Sequence, residues 1–218
     1  HHAAISDTRV YDQELVMQTN VNSFYDFLNI AKRDNATIIY ASSAATYGSL
    51  PSPQVVGNEN PENPYGYSKL LMDQIASRFA NENPYMTIVG LRFFNVYGPK
   101  EFFKAKTSSM VIQLGHQILN GKAPSLFEES NKILRDFIYI EDVVSAFLTA
   151  VNNKFQSGVY NLGSGSSTPV LDVCRIAENI VLNSSSLTKS LNQKTINKSK
   201  DIDFWADITE TKRIFEWE

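Results

Sequence analysis

The sequence predicts an α/β fold built on a doubly wound parallel sheet, Rossmann-like, with a smaller unit interleaved with it. Short apolar runs rich in β-branched residues, at residues 37–41 and 86–92, are typical of buried strands. They alternate with apolar-periodic stretches at residues 10–33 and 66–81, which predict helices. This alternation favours parallel strands with helices on both faces of the sheet.

Beyond Tyr97 the pattern is less regular and predicts the smaller unit. Its apolar periodicity predicts further elements: helices at residues 108–119, 142–152 and 170–182, and a strand at residues 136–140. Residues 184–200, rich in Ser, Asn and Lys, indicate a surface loop around a short element. Residues 163–168 resemble a glycine-rich phosphate loop, but Thr168 stands at the third glycine position, so we interpret them as a strand-to-helix turn.

Composition excludes several classes of protein. The 218 residues are 43% apolar and 20% charged, which is ordinary globular usage, and the formal charge of −3 argues against nucleic acid or an anionic membrane as a partner. The single cysteine, Cys174, lies in an apolar-periodic stretch and is interpreted as a buried structural thiol. No run approaches a membrane span and no signal peptide is recognisable, so we predict a cytoplasmic protein. No metal site is predicted.

Two polar motifs in succession indicate an active site. Ser43 follows the predicted strand at residues 37–41, and residues 65–69 read Tyr-Gly-Tyr-Ser-Lys. On a helix Tyr65 and Lys69 share a face, where the lysine cation is expected to lower a tyrosine pKa that is otherwise near 10. With the Ser43 hydroxyl sharing the proton, such a phenolate suits oxidation of an alcohol as a nicotinamide takes the hydride. A lone Tyr-x-x-x-Lys favours an ordinary helix; the strand and serine upstream favour catalysis.

The chain resembles the extended short-chain dehydrogenase/reductase family of nucleotide-sugar epimerases and dehydratases. The resemblance covers nearly the whole chain, in the family's order and spacing. It is carried by His2-x-Ala4, Thr-Asn-Val at 19–21, Ser43, Tyr65 with Lys69, Leu-Arg-Phe-Phe-Asn-Val-Tyr-Gly-Pro at 91–99, Arg-Asp-Phe-Ile-Tyr-Ile-Glu-Asp-Val at 135–143 and Tyr-Asn-Leu-Gly at 160–163.

This resemblance implies a nicotinamide cofactor, NADP or NAD, and a homo-oligomer. The residues that it assigns to the cofactor are His2, Asn20, Tyr65, Lys69, Phe94 and Asn95. It divides the chain into a cofactor-binding part at residues 1–97 and 135–157 and a substrate-binding part at residues 98–134 and 158–218. The chain opens at a segment that ends a central strand in this family. We therefore expect a piece of a longer enzyme, with the first strands and the cofactor-selecting residue lying outside it.

Within the family, the chain is most similar to the ADP-glyceromanno-heptose 6-epimerases. The likeness is carried by Ala-Ser-Ser-Ala-Ala-Thr-Tyr-Gly at 41–48, Phe-Asn-Val-Tyr-Gly-Pro-Lys-Glu at 94–101 with Lys104, and Leu-Phe-Glu at 126–128 followed by Arg135. It implies ADP-heptose as substrate and Lys104 as a second acid/base on the opposite face of the sugar from Tyr65. Ser43, Asn95, Phe127 and Arg135 would contact the substrate, Arg135 as a charged fork for the diphosphate.

This segment departs from the subgroup pattern and leaves alternatives open. Ala105-Lys106 stand in place of a glycine-serine pair, which bears on the loop conformation and on the reach of Lys104. Lys104 could instead be a surface lysine, Arg135 could pair with Asp136 or a nearby glutamate, and Phe127 could belong to the edge of the core. The alternative functions are a UDP-sugar 4-epimerase or dehydratase, which would leave Lys104 idle, and a catalytically silent cofactor-binding scaffold.

Overall fold

Buried apolar runs pair in parallel at the centre of the protein, as the sequence predicts. The computed structural model describes residues 1–152, 156–184, 194–196 and 206–215. Its strands are β1 (Ile38–Ser43), β2 (Ile88–Phe93), β3 (Asn95–Tyr97), β4 (Ser125–Phe127), β5 (Leu134–Arg135), β6 (Phe137–Tyr139), β7 (Gly158–Leu162), β8 (Thr168–Pro169) and β9 (Lys194–Ile196). The main sheet has the order β1-β2-β7, with all three strands parallel.

Helices cover both faces of this sheet, which confirms the doubly wound α/β class. The α-helices are α1 (Gln13–Val16), α2 (Ser23–Asp34), α3 (Pro64–Glu82), α4 (Met110–Leu119), α5 (Ile140–Asn152), α6 (Val170–Ser184) and α7 (Thr209–Phe215). On one face, Ile88 of β2 packs in a core with residues of α2 and α3. On the other face, Val89 and Leu91 pack against residues of α5. Alternate residues of β2 therefore enter opposite cores, as a strand buried on both sides requires.

The smaller unit is built around the contact between α4 and α6. Leu114 and Ile118 of α4 pack with Val170 and Cys174 of α6, so Cys174 is buried as predicted. Two-stranded pairs border this core: β4 with β9 in parallel and β5 with β8 antiparallel. Strand β9 is the short element expected within residues 184–200; residues 185–193 and 197–200 lie outside the described part of the chain.

Strand β7 lies in the main sheet, because it pairs with β2 over Val89↔Gly158 to Phe93↔Leu162. The division of the chain into cofactor-binding and substrate-binding parts, with its boundary at residue 158, stays a prediction. Strand order is a tertiary property, so the apolar run at residues 158–162 did not reveal its partner. The predicted turn at residues 163–168 does connect β7 to β8 and α6.

Two helices differ from their predicted form. The stretch at residues 10–33 is not one regular helix, because a π-helical segment, Met17–Asn22, separates α1 from α2. Helix α3 begins two residues before the predicted start, since the Asn63 side chain accepts a hydrogen bond from Gly66 N–H (2.8 Å) and Pro64 occupies the first turn. Among the described residues, no helix is long and apolar enough to cross a membrane.

A buried ionic network joins α3 to the sheet. Arg92, 2% exposed on β2, donates from Nε to Asp73 Oδ2 (2.9 Å) and from Nη1 to Glu59 Oε1 (2.6 Å). Tyr40 and Ser42 of β1 donate their hydroxyls to the two oxygens of Asp73, both at 2.9 Å. The carboxylate of α3 is thus bonded to both neighbouring strands.

Removing the cation from this network should destabilise the fold. In Arg92→Leu, the buried Asp73 carboxylate keeps only its two hydroxyl donors, and the free energy of unfolding should fall by about 3–5 kcal/mol. Urea denaturation would measure this loss. The matched control is Arg78→Leu on the exposed side of α3, which should change the free energy by less than about 0.5 kcal/mol. Equal effects of the two substitutions would contradict the role of the network.

The loop between β3 and α4 contains a strained alanine. Ala105 adopts φ 46° and ψ −115°, a conformation that an L residue with a Cβ rarely takes and that glycine takes readily. This is the position where the resemblance led us to expect glycine.

Replacing Ala105 with glycine should therefore stabilise the protein. Relief of backbone strain outweighs the added entropy of the unfolded chain, and the expected gain is about 1 kcal/mol. Ala36→Gly is the control, since Ala36 is exposed and has no positive φ; it should lose up to about 1 kcal/mol. Thermal or urea unfolding of both variants tests the difference, and a loss in Ala105→Gly would exclude strain at this position.

Candidate active site

Ser43 and Tyr65 meet where β1 ends and α3 begins. Ser43 is the last residue of β1, is 9% exposed, and its Oγ accepts from Ala45 N–H at 3.1 Å. The first turn of α3 lies directly against the segment after Ser43. The approach is so close at Gly66 that a Cβ added there would overlap the Ala45 carbonyl oxygen. Glycine thus permits the approach that places the Tyr65 side chain in a hydrogen bond with Ser43.

Lys69 lies one helical turn beyond Tyr65 and is 3% exposed. Its Nζ donates to the Ala41 carbonyl oxygen at 2.8 Å and lies 5.9 Å from the centroid of the Tyr65 ring. Burial lowers the pKa of Lys69 to about 8, and the nearby Asp73 carboxylate partly opposes that shift. The ammonium group has three donors, so donors remain for the hydroxyl oxygens of a nucleotide at this edge of the sheet.

The structure does not show the predicted lowering of the Tyr65 pKa by Lys69. Burial raises the pKa of Tyr65 above its usual value of 10, and the hydrogen bond to Ser43 only partly opposes the rise. The pKa rises because the folded protein buries the phenol, which disfavours the charged phenolate. The Lys69 ammonium donates its hydrogen bond to the Ala41 carbonyl and not to Tyr65. Spacing along the helix predicted the proximity of the two groups but not the burial.

Asn20 anchors the turn that carries the tyrosine and the lysine. Its side chain is fully buried; Oδ1 accepts from Ile5 N–H (2.8 Å), and Nδ2 donates to the Ile5 carbonyl (3.1 Å) and to Ser68 Oγ (2.9 Å). Ser68 Oγ in turn donates to the Tyr65 carbonyl at 2.7 Å. The structure thus assigns both amide donors of Asn20 to the protein; the predicted contact with cofactor stays a prediction.

His2 lies against an aromatic wall beside β2. Its ring centroid is 4.7 Å from that of Phe147 and 6.0 Å from that of Phe93. The pKa of His2 is lowered, first by burial and also by the charge of Lys69. A neutral, flat ring at this place fits a neighbour of a cofactor, the role that the resemblance implies.

Phe94 and Asn95 have different surroundings. The ring of Phe94 is 5% exposed and packs in the core with Tyr47 and Ile208. Asn95 donates its backbone N–H and its Nδ2 to the Asp136 carbonyl, at 3.2 and 2.6 Å, and it borders a cavity of about 380 Å³. The residues lining this cavity are Asn95, Met110, Gln113, Leu114, Gln117, Ser125, Leu126 and Val170.

Arg135 lies on β5, next to a carboxylate that is already bonded. Its Nη1 donates to the Leu134 carbonyl at 2.9 Å. The neighbouring Asp136 is fully buried and accepts from Ser164 N–H and Oγ (both 2.7 Å), Gly165 N–H (3.0 Å) and Ala206 N–H (3.2 Å). Asp136 thus fastens the turn after β7, a role that the sequence analysis missed although Asp136 stands in the recognised Arg-Asp-Phe motif.

Two predicted residues remain apart from this cluster. Lys104 is exposed in the 3₁₀-helical loop Glu101–Thr107, and no contact described here joins it to Tyr65 or Lys69. The backbone of Phe127 ends β4, whereas its side chain lies outside the described part of the structure. Within the described residues, no three His, Cys, Asp or Glu side chains group as a metal site.

Several solved structures are similar to this chain over nearly its whole length. ADP-L-glycero-D-manno-heptose-6-epimerase from Helicobacter pylori is 41% identical with a TM-score of 0.88; the match covers 100% of this chain and 65% of that one. UDP-glucuronic acid 4-epimerase from Bacillus cereus in complex with NAD is 24% identical over 99% of this chain and 67% of that one, with a TM-score of 0.83. RMD from Pseudomonas aeruginosa complexed with NADPH is 21% identical over 99% and 74%, with a TM-score of 0.78.

These relatives differ in what they establish. The two that are under 25% identical support the fold alone, and this chain spans 65% of the length of the Helicobacter protein. A family model, described as the NAD dependent epimerase/dehydratase family, matches residues 1–163. That match confirms the predicted family and the nicotinamide class of cofactor. The chain belongs to the NAD dependent epimerase/dehydratase family.

Proposed function

We propose that the protein containing this chain is an epimerase that converts ADP-D-glycero-D-manno-heptose to its L-glycero form by inverting the 6″ carbinol. The observation that carries the chemistry is the hydrogen bond between Tyr65 and Ser43, with Lys69 buried one turn away. The choice of substrate is supported by the 41% identity to the Helicobacter heptose epimerase. Its product would serve lipopolysaccharide core synthesis.

The cofactor, NADP or NAD, would lie at the carboxyl ends of β1 and β2, where open parallel sheets bind nucleotides. When bound, it supplies the acceptor and donor of the hydride. Lys69 would hold its ribose hydroxyls with the donors not used by Ala41, and the ring of His2 would border it. Family membership supports the class of cofactor; the choice between the two forms stays open.

Tyr65 and Ser43 would move the proton on one face of the sugar. The Tyr65 oxygen takes the proton of the 6″ hydroxyl as the carbinol is oxidised, and Ser43 Oγ shares that hydrogen bond. Burial raises the pKa of Tyr65, so the phenolate needs added positive charge, and Lys69 is the nearby cation in the described structure. The hydride removed from the 6″ carbon would return to the other face of the ketone, so the reaction causes no net oxidation, and the new hydroxyl would take its proton from the group on that face.

Lys104 would serve the opposite face. Inversion requires the ketone to present its second face, and a second proton-transfer group lets each face have its own. The loop of Lys104 follows β3, whose first residue, Asn95, borders the 380 Å³ cavity. We propose that this cavity receives the nucleotide, with Arg135 on the diphosphate and Phe127 at the base.

A UDP-sugar 4-epimerase or dehydratase is the main alternative. It would use the same Ser43, Tyr65 and Lys69 and leave Lys104 as a surface lysine, and the exposure of Lys104 supports it. A silent scaffold is disfavoured, because it does not need a tyrosine bonded to serine beside a buried lysine. A cytoplasmic homo-oligomer remains part of the proposal.

Turnover of ADP-D-glycero-D-manno-heptose by the protein containing this chain tests the proposal. The 6″ centre is followed by NMR, and the native protein should invert it. Tyr65→Phe should reduce kcat about 10²–10⁴-fold, as loss of a general base does, and Lys104→Met should reduce it at least about 10²-fold. Lys100→Met, an exposed lysine before the same loop, is the control and should keep native activity.

Other outcomes would redirect the assignment. No inversion of the heptose, together with turnover of a UDP-hexose and a fully active Lys104→Met, would establish the alternative. Cofactor binding without turnover of either substrate would support the catalytically silent scaffold.

A further inference from the structure

Glu101 is a buried carboxylate at the base of the loop that carries Lys104. It is 6% exposed, although Lys100 and Phe103 in the same segment between β3 and α4 are exposed. A glutamate is buried at this level only when its charge is compensated. The groups that contact the Glu101 carboxylate therefore indicate its role.

Three donors from the two ends of the loop compensate this charge. Oε1 accepts from Gly98 N–H at 3.0 Å and from Ser109 Oγ at 2.8 Å, and Oε2 accepts from Ser109 N–H at 2.6 Å. Hydrogen bonds to an ionised carboxylate are among the stronger ones in proteins. One side chain thus closes residues 98–109 into a ring; we call this contact the Glu101 clasp.

Both ends of the clasp are fixed to larger elements. A Cβ on Gly98 would lie 2.3 Å from Ile140 Cγ2, so the loop begins directly against α5. Ser109 is the N-cap of α4, and its Oγ accepts from Ile112 N–H at 3.3 Å. A carboxylate at this helix N-terminus is also favoured by the helix dipole.

Lys104 lies near the middle of the closed loop. The turn around it is bonded within itself: Thr107 Oγ1 donates to the Lys104 carbonyl (2.7 Å), and Ser108 donates N–H and Oγ to the Ala105 carbonyl (3.2 and 2.7 Å). The loop is therefore a compact unit, and the Glu101 clasp is one of the contacts that hold it to the rest of the protein. Its opening would displace Lys104 while leaving Ser43 and Tyr65 in place.

We propose that Glu101 is a positioning residue that fixes Lys104 for its proton transfer by closing this loop. The inference rests on the proposed function for the role of Lys104, but the closing of the loop can be measured without substrate. Glu101 itself touches neither Tyr65 nor Ser43 in the described contacts and takes no part in the chemistry.

Hydrogen exchange in the protein containing this chain, loaded with cofactor, tests the clasp first. In Glu101→Gln, the backbone amides of residues 98 and 100–109 should exchange at least about tenfold faster, because one carboxylate oxygen is replaced by an NH₂ group that faces backbone N–H donors. Ser109→Ala, which removes one of the three donors and is the milder change, should accelerate the same amides to a smaller extent. Glu82→Gln, at an exposed position on α3, is the matched control. Unchanged exchange in both loop variants would overturn the proposal.

A double-mutant cycle then tests the link to Lys104. Glu101→Gln should lower kcat at least about tenfold with cofactor affinity unchanged, and in the Lys104→Met background it should have less than about a threefold further effect. A full additional loss in that background would show that Glu101 acts by another route and would overturn the proposal. If Lys104→Met is fully active while exchange still rises in Glu101→Gln, the proposed role of Lys104 fails and the clasp stands.

Discussion

The contact between Asp73 and Arg92 holds helix α3 against β1 and β2, and the site is arranged relative to that contact. Asp73 lies one turn beyond Lys69 and two turns beyond Tyr65, so the three residues share a face of α3. Because Tyr40 and Ser42 also bond to Asp73, the orientation of this face toward the end of β1 is determined by buried, charged hydrogen bonds. An ion pair of this kind contributes orientation more than net stability.

The same contact explains the electrostatics of the site. Lys69 is buried beside Asp73, which offsets part of the cost of burying the ammonium group, yet its pKa still falls to about 8. Tyr65 receives no comparable offset, and its pKa rises. The free site is therefore short of positive charge near the phenol. In the proposed reaction, the nicotinamide ring of the oxidised cofactor, which carries a positive charge, would supply that charge when Tyr65 accepts the proton.

The sequence predicted those features of the fold and site that depend on the spacing of residues along the chain. Tyr65 and Lys69 were placed together because four residues make a helical turn, and the buried strands followed from their apolar runs. The π-helical segment at Met17–Asn22 was not predictable in this way, since it coincides with Asn20, whose amide bonds Ile5 and Ser68 across the fold. The partner of β7 and the burial of Glu101 are likewise tertiary: each depends on groups brought together by folding rather than by spacing.

The two sides of the proposed site are therefore held by interactions of different strength. Tyr65 is fixed by the core and by an ionic network inside it, whereas the exposed loop of Lys104 is attached through the buried Glu101 clasp. A few hydrogen bonds, each worth about 1.5–3 kcal/mol when one partner is charged, permit local opening well below the free energy of global unfolding. A ketone that must present both faces to one hydride needs room to turn. In the proposed reaction, brief opening of the loop would let the ketone turn while Tyr65 stays fixed, and closing of the Glu101 clasp would return Lys104 to its place for proton transfer.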